Sequence, residues 1–121
     1  MSKFKGTPPP WSIDRRYCDC LPIVDSQGFN IVDVDRVAIL TAWDEKGFEH
    51  WGDKGGHREM SDEEYAANVN VVVMSPELLE LAIAALAWID AVPSDTVLPV
   101  MPGFDRDWAD SIVNKALGSE G

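Results

Sequence analysis

Ser61-Asp62-Glu63-Glu64-Tyr65-Ala66-Ala67-Asn68-Val69-Asn70-Val71-Val72-Val73-Met74-Ser75-Pro76-Glu77-Leu78-Leu79-Glu80 is the stretch that decides the fold. Its valine run, Val69 to Val73, reads as a strand if taken alone, because β-branched residues favour the pleated conformation. The flanks reverse that reading. Ser61 followed by Glu64 matches a capping box, in which the serine side chain accepts a backbone N–H and the glutamate reaches back. Asp62, Glu63 and Glu64 then lie at the positive end of the helix dipole. Tyr65, Val69, Val72 and Val73 recur at helical spacing. Ser75-Pro76-Glu77 is a second start signal, with Ser75 as N-cap and Pro76 in the first turn. The stretch therefore predicts two consecutive helices over 61–91. The second is apolar nearly all round from Leu81 to Ile89, which places it centrally or at a subunit contact.

Upstream the period changes from helical to alternating. Residues 1–10 read as an extended arm, since Pro8, Pro9 and Pro10 fix φ and bias each preceding residue away from helix. Trp11, Ile13 and Tyr17 fall at odd positions. Leu21–Asp25 and Phe29–Val34 read as a hairpin across Ser26-Gln27-Gly28. Val37, Ile39, Thr41 and Trp43 form another alternating set, with Phe48–Trp51 as its return strand. Residues 11–51 thus predict an antiparallel meander of four to five strands, and 52–60 a flexible loop. Downstream, 92–121 reads as a Pro-containing linker and a helix over 105–117, with Trp108, Ile112 and Ala116 at helical spacing, Val113 beside them, and Gly118 as its stop. The expected architecture is a single α+β domain over 1–121: the meander packed on two consecutive helices, plus a C-terminal helix.

The 121 residues carry ten Lys and Arg against twenty-one Asp and Glu, a net charge of −11. Nine acids and eight bases fall in residues 1–58, and twelve acids and two bases in 59–121, so the halves carry −1 and −10. That balance argues against a generally basic nucleic-acid surface or a polybasic membrane patch. No apolar run reaches the ~18–20 residues of a spanning helix, and the N-terminus shows no signal-peptide core.

Two segments carry a resemblance. Ala67-Asn68-Val69-Asn70-Val71-Val72-Val73-Met74-Ser75-Pro76-Glu77-Leu78-Leu79-Glu80 resembles a box of the form A-N-A-x-L-I-A-A-A-P-E-L-L-E in small accessory proteins of tailed phages and prophages. Those proteins often begin with a T-P-x-P-W segment, and Thr7-Pro8-Pro9-Pro10-Trp11 stands in that place here. Between the boxes the family has a short meander with Asp-x-x-Gly turns, as in Asp25-Ser26-Gln27-Gly28. The likeness covers roughly residues 7–91. Valines replace the family's Ala/Leu/Ile run, and 92–121 has no counterpart. The box residues are scaffold, with Leu78, Leu79, Ile83 and Leu86 expected to pack the helix on the sheet. The resemblance implies a phage protein acting in the host bacterial cytoplasm.

The chemistry-bearing residues form no recognisable catalytic motif, so a non-enzymatic role without cofactor is expected. Cys18 and Cys20 with His50 and His57 have the ligand types for zinc but not the usual spacing. His50 reads as a half-buried strand residue. Trp11, Trp43 and Trp88 are placed as core. With the resemblance, the acidic half predicts an inhibitor that binds a bacterial host protein. Its target would be a nucleic-acid-handling defence component such as a CRISPR or restriction complex, with DNA mimicry as one mode. The residues assigned to that contact are Glu63, Glu64, Glu77, Asp90, Asp95, Asp105, Asp107, Asp110 and Trp108. Asp90, Asp95, Asp105, Asp107 and Asp110 are the acids for which no structural duty is foreseen. Two alternatives stay open. One is a sponge for a nucleotide signal, gripped by Arg15, Arg16, Arg36, Arg58 or Lys54. The other is a structural homo-oligomer closed through Leu81–Ile89.

Overall fold

Short β-branched segments separated by Asp/Gly turns build one part of the molecule, and two helices build the other. The structure is a computed structural model and describes residues 4–16, 20–93, 95–97, 99 and 103–118. Tyr17 and Cys18, expected on the first strand and in a zinc set, lie outside the described residues. The chain divides into two compact units, Trp11–Val73 and Met1–Pro10 with Met74–Gly121. The architecture is α+β, with five antiparallel strands in two small sheets and three helices among the described residues. No single described helix is long and apolar enough to cross a membrane.

In the Trp11–Val73 unit, β1 (Ser12–Ile13), β2 (Ile23–Val24) and β3 (Asn30–Val32) form an antiparallel sheet in that order. Ile13 pairs with Ile23, and Ile23 with Val32. The β2–β3 hairpin is the one expected from Asp25-Ser26-Gln27-Gly28. The Asp25 carboxylate accepts the backbone N–H groups of Gln27 and Phe29, each at 2.9 Å. Gly28 takes φ +91°, a conformation that costs glycine little.

The second sheet departs from the expected meander. β4 (Val37–Ile39) pairs with β5 (His57–Glu59), inside the stretch read as a loop, and not with 48–51. Two local features redirect the chain. Ala42 takes φ 57°, which ends the alternation before Trp43. The Asp53 carboxylate accepts the N–H groups of both Glu49 and His50 at 3.0 Å, which bends 49–53 into turns. His50 is exposed in that bend, not half-buried on a strand.

Helix α1 (Asp62–Val73) covers the first sheet. Tyr65, Val69 and Val73 recur one turn apart, are buried, and close on Ile23. Trp11, Ile13, Leu21, Ile31 and Val32 pack around them. The Tyr65 hydroxyl accepts the Leu21 N–H at 2.9 Å, so the one polar atom of this buried ring is satisfied. Ser61 caps the helix as expected, accepting the Glu64 N–H at 3.1 Å. Glu64 does not complete the capping box. Its carboxylate is held in a two-point pair by Arg58 of β5, at 2.8 and 2.9 Å, a stronger partner than a backbone amide.

In the other unit, α2 (Ser75–Ala91) and α3 (Arg106–Ala116) pack together. Ser75 is not the N-cap. Met74 takes that place, and its carbonyl already accepts the Leu78 N–H at 2.9 Å, so the helix starts one residue early. Asp90 at the end of α2 meets Arg106 at the start of α3, and α3 returns along α2. Ile83, Leu86 and Ala87 face Val113 and Leu117 across a cavity of about 250 Å³. The packing partner of Ile83 and Leu86 is therefore α3. Gly118, at φ +82°, ends α3 as expected.

The apolar ring of α2 is not a central helix. Pro76 and Leu86 are its buried residues, whereas Leu81 is 65% exposed and Trp88 is 68% exposed. Trp88 is thus a surface residue and not core. Trp11 and Trp43 are half-buried.

Candidate partner-binding site

Helix α3 separates two duties around its circumference. Arg106, Asp110, Val113 and Leu117, spaced by four, three and four residues, face α2. Trp108 and Ile112, one turn apart, point away from that face and are 55% and 47% exposed. Phe104, just before the helix, is 37% exposed. Of the apolar set Trp108, Ile112, Val113 and Ala116, Val113 is the member that packs on α2, whereas the other three are exposed. The true packing face carries an arginine and an aspartate, and a search for apolar periodicity passes over it.

Asp105 sets where the ridge begins. Its backbone is extended, and its carboxylate accepts the N–H groups of Asp107 at 2.8 Å and Trp108 at 3.4 Å. This is an N-cap, and it fixes the first turn that presents Trp108. Asp107 stands exposed beside Trp108.

The acids expected to meet a partner divide accordingly. Asp90 is held by Arg106 at 2.6 and 2.9 Å. Asp110 lies 3.6 Å from the same guanidinium and accepts from Asn114 at 3.3 Å. Asp105 is a cap. So three of the five acids for which no duty was foreseen hold α3 in place. The hydrogen bond from Arg106 keeps the Asp90 carboxyl below its ordinary range, and the same bond raises the Arg106 guanidinium. Glu64 is likewise held low by its hydrogen bond from Arg58. Glu77 is half-buried, with Oε1 enclosed. Glu63, Asp95 and Asp107 remain as exposed acids of the expected set. The nine residues belong to two units, Glu63 and Glu64 to one and the other seven to the second. Asp105, Asp107 and Trp108 share the first turn of α3, whereas Glu63 and Glu64 belong to α1.

The other candidate chemistries are dispersed or already engaged. His50 Nδ1 accepts the Gly52 N–H at 2.9 Å, and its ring lies 5.2 Å from Trp51. The His57 ring meets Trp51 edge-on at 6.2 Å. Cys20 is exposed, and among the described residues no three His, Cys, Asp or Glu side chains converge on one point. A cleft of about 470 Å³ beside Tyr65 includes Arg16 and Arg36. Arg16 is paired with Asp14 at 2.6 Å, and Arg36 with Asp62 at 2.6 Å while its guanidinium covers the Tyr65 ring at 4.3 Å. Asp33 and Asp35 also line the cleft and oppose a phosphate there.

No family model, no curated protein and no solved structure matches this chain.

Proposed function

We propose that this chain is a non-enzymatic binding protein that docks on a bacterial host protein through the outward side of α3. The observation that carries this reading is the ridge of Trp108 and Ile112, left 55% and 47% exposed on a helix whose other side is packed. An exposed tryptophan beside a second apolar side chain is the composition of an interface anchor, because a few aromatics supply much of the energy of binding. The acid beside it, Asp107, fits a basic rim on the partner and would speed encounter at low salt.

The setting follows from the resemblance to phage and prophage accessory proteins. The partner on this reading is a nucleic-acid-handling defence component, such as a CRISPR or restriction complex, met in the host cytoplasm. Such a complex offers basic surface. Contact is made by an aromatic anchor with acidic surroundings and not by a phosphate-like array, since Arg106 holds Asp90 and Asp110 and α3 itself takes Asp105.

The test is capture of purified defence nuclease complexes by the full chain, with binding measured by calorimetry or interferometry. Trp108→Ala should weaken a captured complex by roughly 30-fold or more, as for an anchor worth at least 2 kcal/mol. Asp107→Lys should slow association and flatten its salt dependence. Unchanged affinity in Trp108→Ala would refute the α3 site. Failure of wild type to bind any complex of this class would refute the partner class.

A further inference from the structure

Helix α2 carries a second apolar surface, separate from the α3 ridge. Met74, Leu78, Leu81, Ala85 and Trp88 recur at spacings of four, three, four and three, the seam of a coiled coil. All five are exposed, at 47% for Met74, 49% for Leu78 and the larger values already given for Leu81 and Trp88. The seam lies opposite the side that packs on α3, where Leu86 is buried.

We infer that a second copy of this chain covers the seam, with the two α2 helices antiparallel about a two-fold axis. The flanks give the first reason. One side of the seam is bordered by Ser75, Ala82 and Ile89, the other by Glu77, Ala84 and Ala91. Charged flanks are what select a different helix as partner. Here there is one charge, and nothing to favour a foreign helix over the chain itself. Size matching gives the second reason. In the antiparallel register Leu81 lies opposite Ala85 of the second copy and Leu78 opposite Trp88, while Ala82 meets Ala82 on one flank of the axis and Ala84 meets Ala84 on the other. Leu81 fills the space beside Ala85, and the alanines at the axis let the backbones approach closely. Glu77 falls beside Ala91 of the second copy and meets no like charge. A parallel pair would stack Trp88 on Trp88 one turn beyond Ala85 on Ala85, leaving bulk beside a gap.

Area sets the strength. The exposed portions of these side chains amount to roughly 500–600 Å² per copy, or about 1,000–1,200 Å² in total, the lower edge of a specific interface. The dimer is therefore concentration-dependent and not obligate.

The experiment is sedimentation equilibrium of the full chain from about 1 to 500 μM, with helix content checked by circular dichroism. Wild type should show a monomer–dimer equilibrium inside that range. Leu81→Glu should weaken it by at least ~100-fold, because it buries an unpaired charge at the seam. Leu81→Ala and Ala85→Leu should each weaken it, one by a gap and one by a clash, and the double variant should restore it. That rescue is specific to the antiparallel register, since a parallel pair places each residue opposite itself. A wild type that stays monomeric to 500 μM would overturn the inference. So would a dimer indifferent to Leu81→Glu, or one that the double variant does not rescue.

Discussion

Tyr65→Phe removes a single oxygen from the buried side of α1, and the cost of that atom measures how the helix is tied to the sheet. The hydroxyl accepts the Leu21 N–H across 44 residues of chain. The ring is 2% exposed among Ile23, Val69 and their neighbours, and phenylalanine keeps all of that packing. It also keeps the face under Arg36. Only the hydrogen bond goes, leaving a half-buried donor without its partner. Such a loss costs about 1–2 kcal/mol. Urea slopes for small domains run ~1–3 kcal/mol per molar, so the midpoint should fall by roughly 0.3–2 M. Tyr65→Ala removes the ring as well, and the cavity term brings the cost to about 3–5 kcal/mol. Amide exchange reports the same bond locally. The Leu21 amide should be protected in wild type and exchange much faster in Tyr65→Phe, with Val69 and Val73 less affected. An unchanged midpoint together with a protected Leu21 amide in Tyr65→Phe would show that the hydroxyl does not hold β2's entry. A Tyr65→Ala variant no worse than Tyr65→Phe would show that the ring is not core.

Two further outcomes follow from α3. Asp105→Ala removes the N-cap and should cost about 1 kcal/mol, read as faster amide exchange at Asp107 and Trp108 with α2 unaffected. Acid should loosen the same helix: the Asp90 carboxyl sits below its ordinary value in the fold, so its contribution is complete above the usual carboxylate range of ~4 and is lost as pH falls through the lowered value. A pH titration followed by Trp108 fluorescence should show a step in that acid range, and Arg106→Gln should abolish it.

The helices were legible because their ends carry local chemistry. Ser61 caps, Pro76 sits in a first turn and Gly118 stops, each acting within a few residues of chain. The Asp25–Gly28 hairpin was legible for the same reason. What was not legible depends on contacts distant in sequence or on faces that periodicity does not separate. His57–Glu59 shows no apolar alternation, so its pairing with Val37–Ile39 left no signal, and the aromatic segment at Phe48–Trp51 took its place. Helix α2 is apolar on both sides, and the pattern alone does not tell the side facing α3 from the exposed seam. The acids of α3 and its surroundings were counted as free because Asp90 and Arg106, sixteen residues apart, show no local spacing rule. Trp108 stands out by residue type alone, and the packing stripe on the other side of its helix includes Arg106 and Asp110, which apolar periodicity does not pick out.

The two stripes of α3 share no residue. Packing rests on 106, 110, 113 and 117, and display on 108 and 112. A change at a displayed position leaves the anchoring ion pair and the buried Val113 untouched. On the proposed docking mode, folding and recognition are written in separate letters of the same helix. A lineage under pressure to follow a changing target could rewrite the second set while the first stays still.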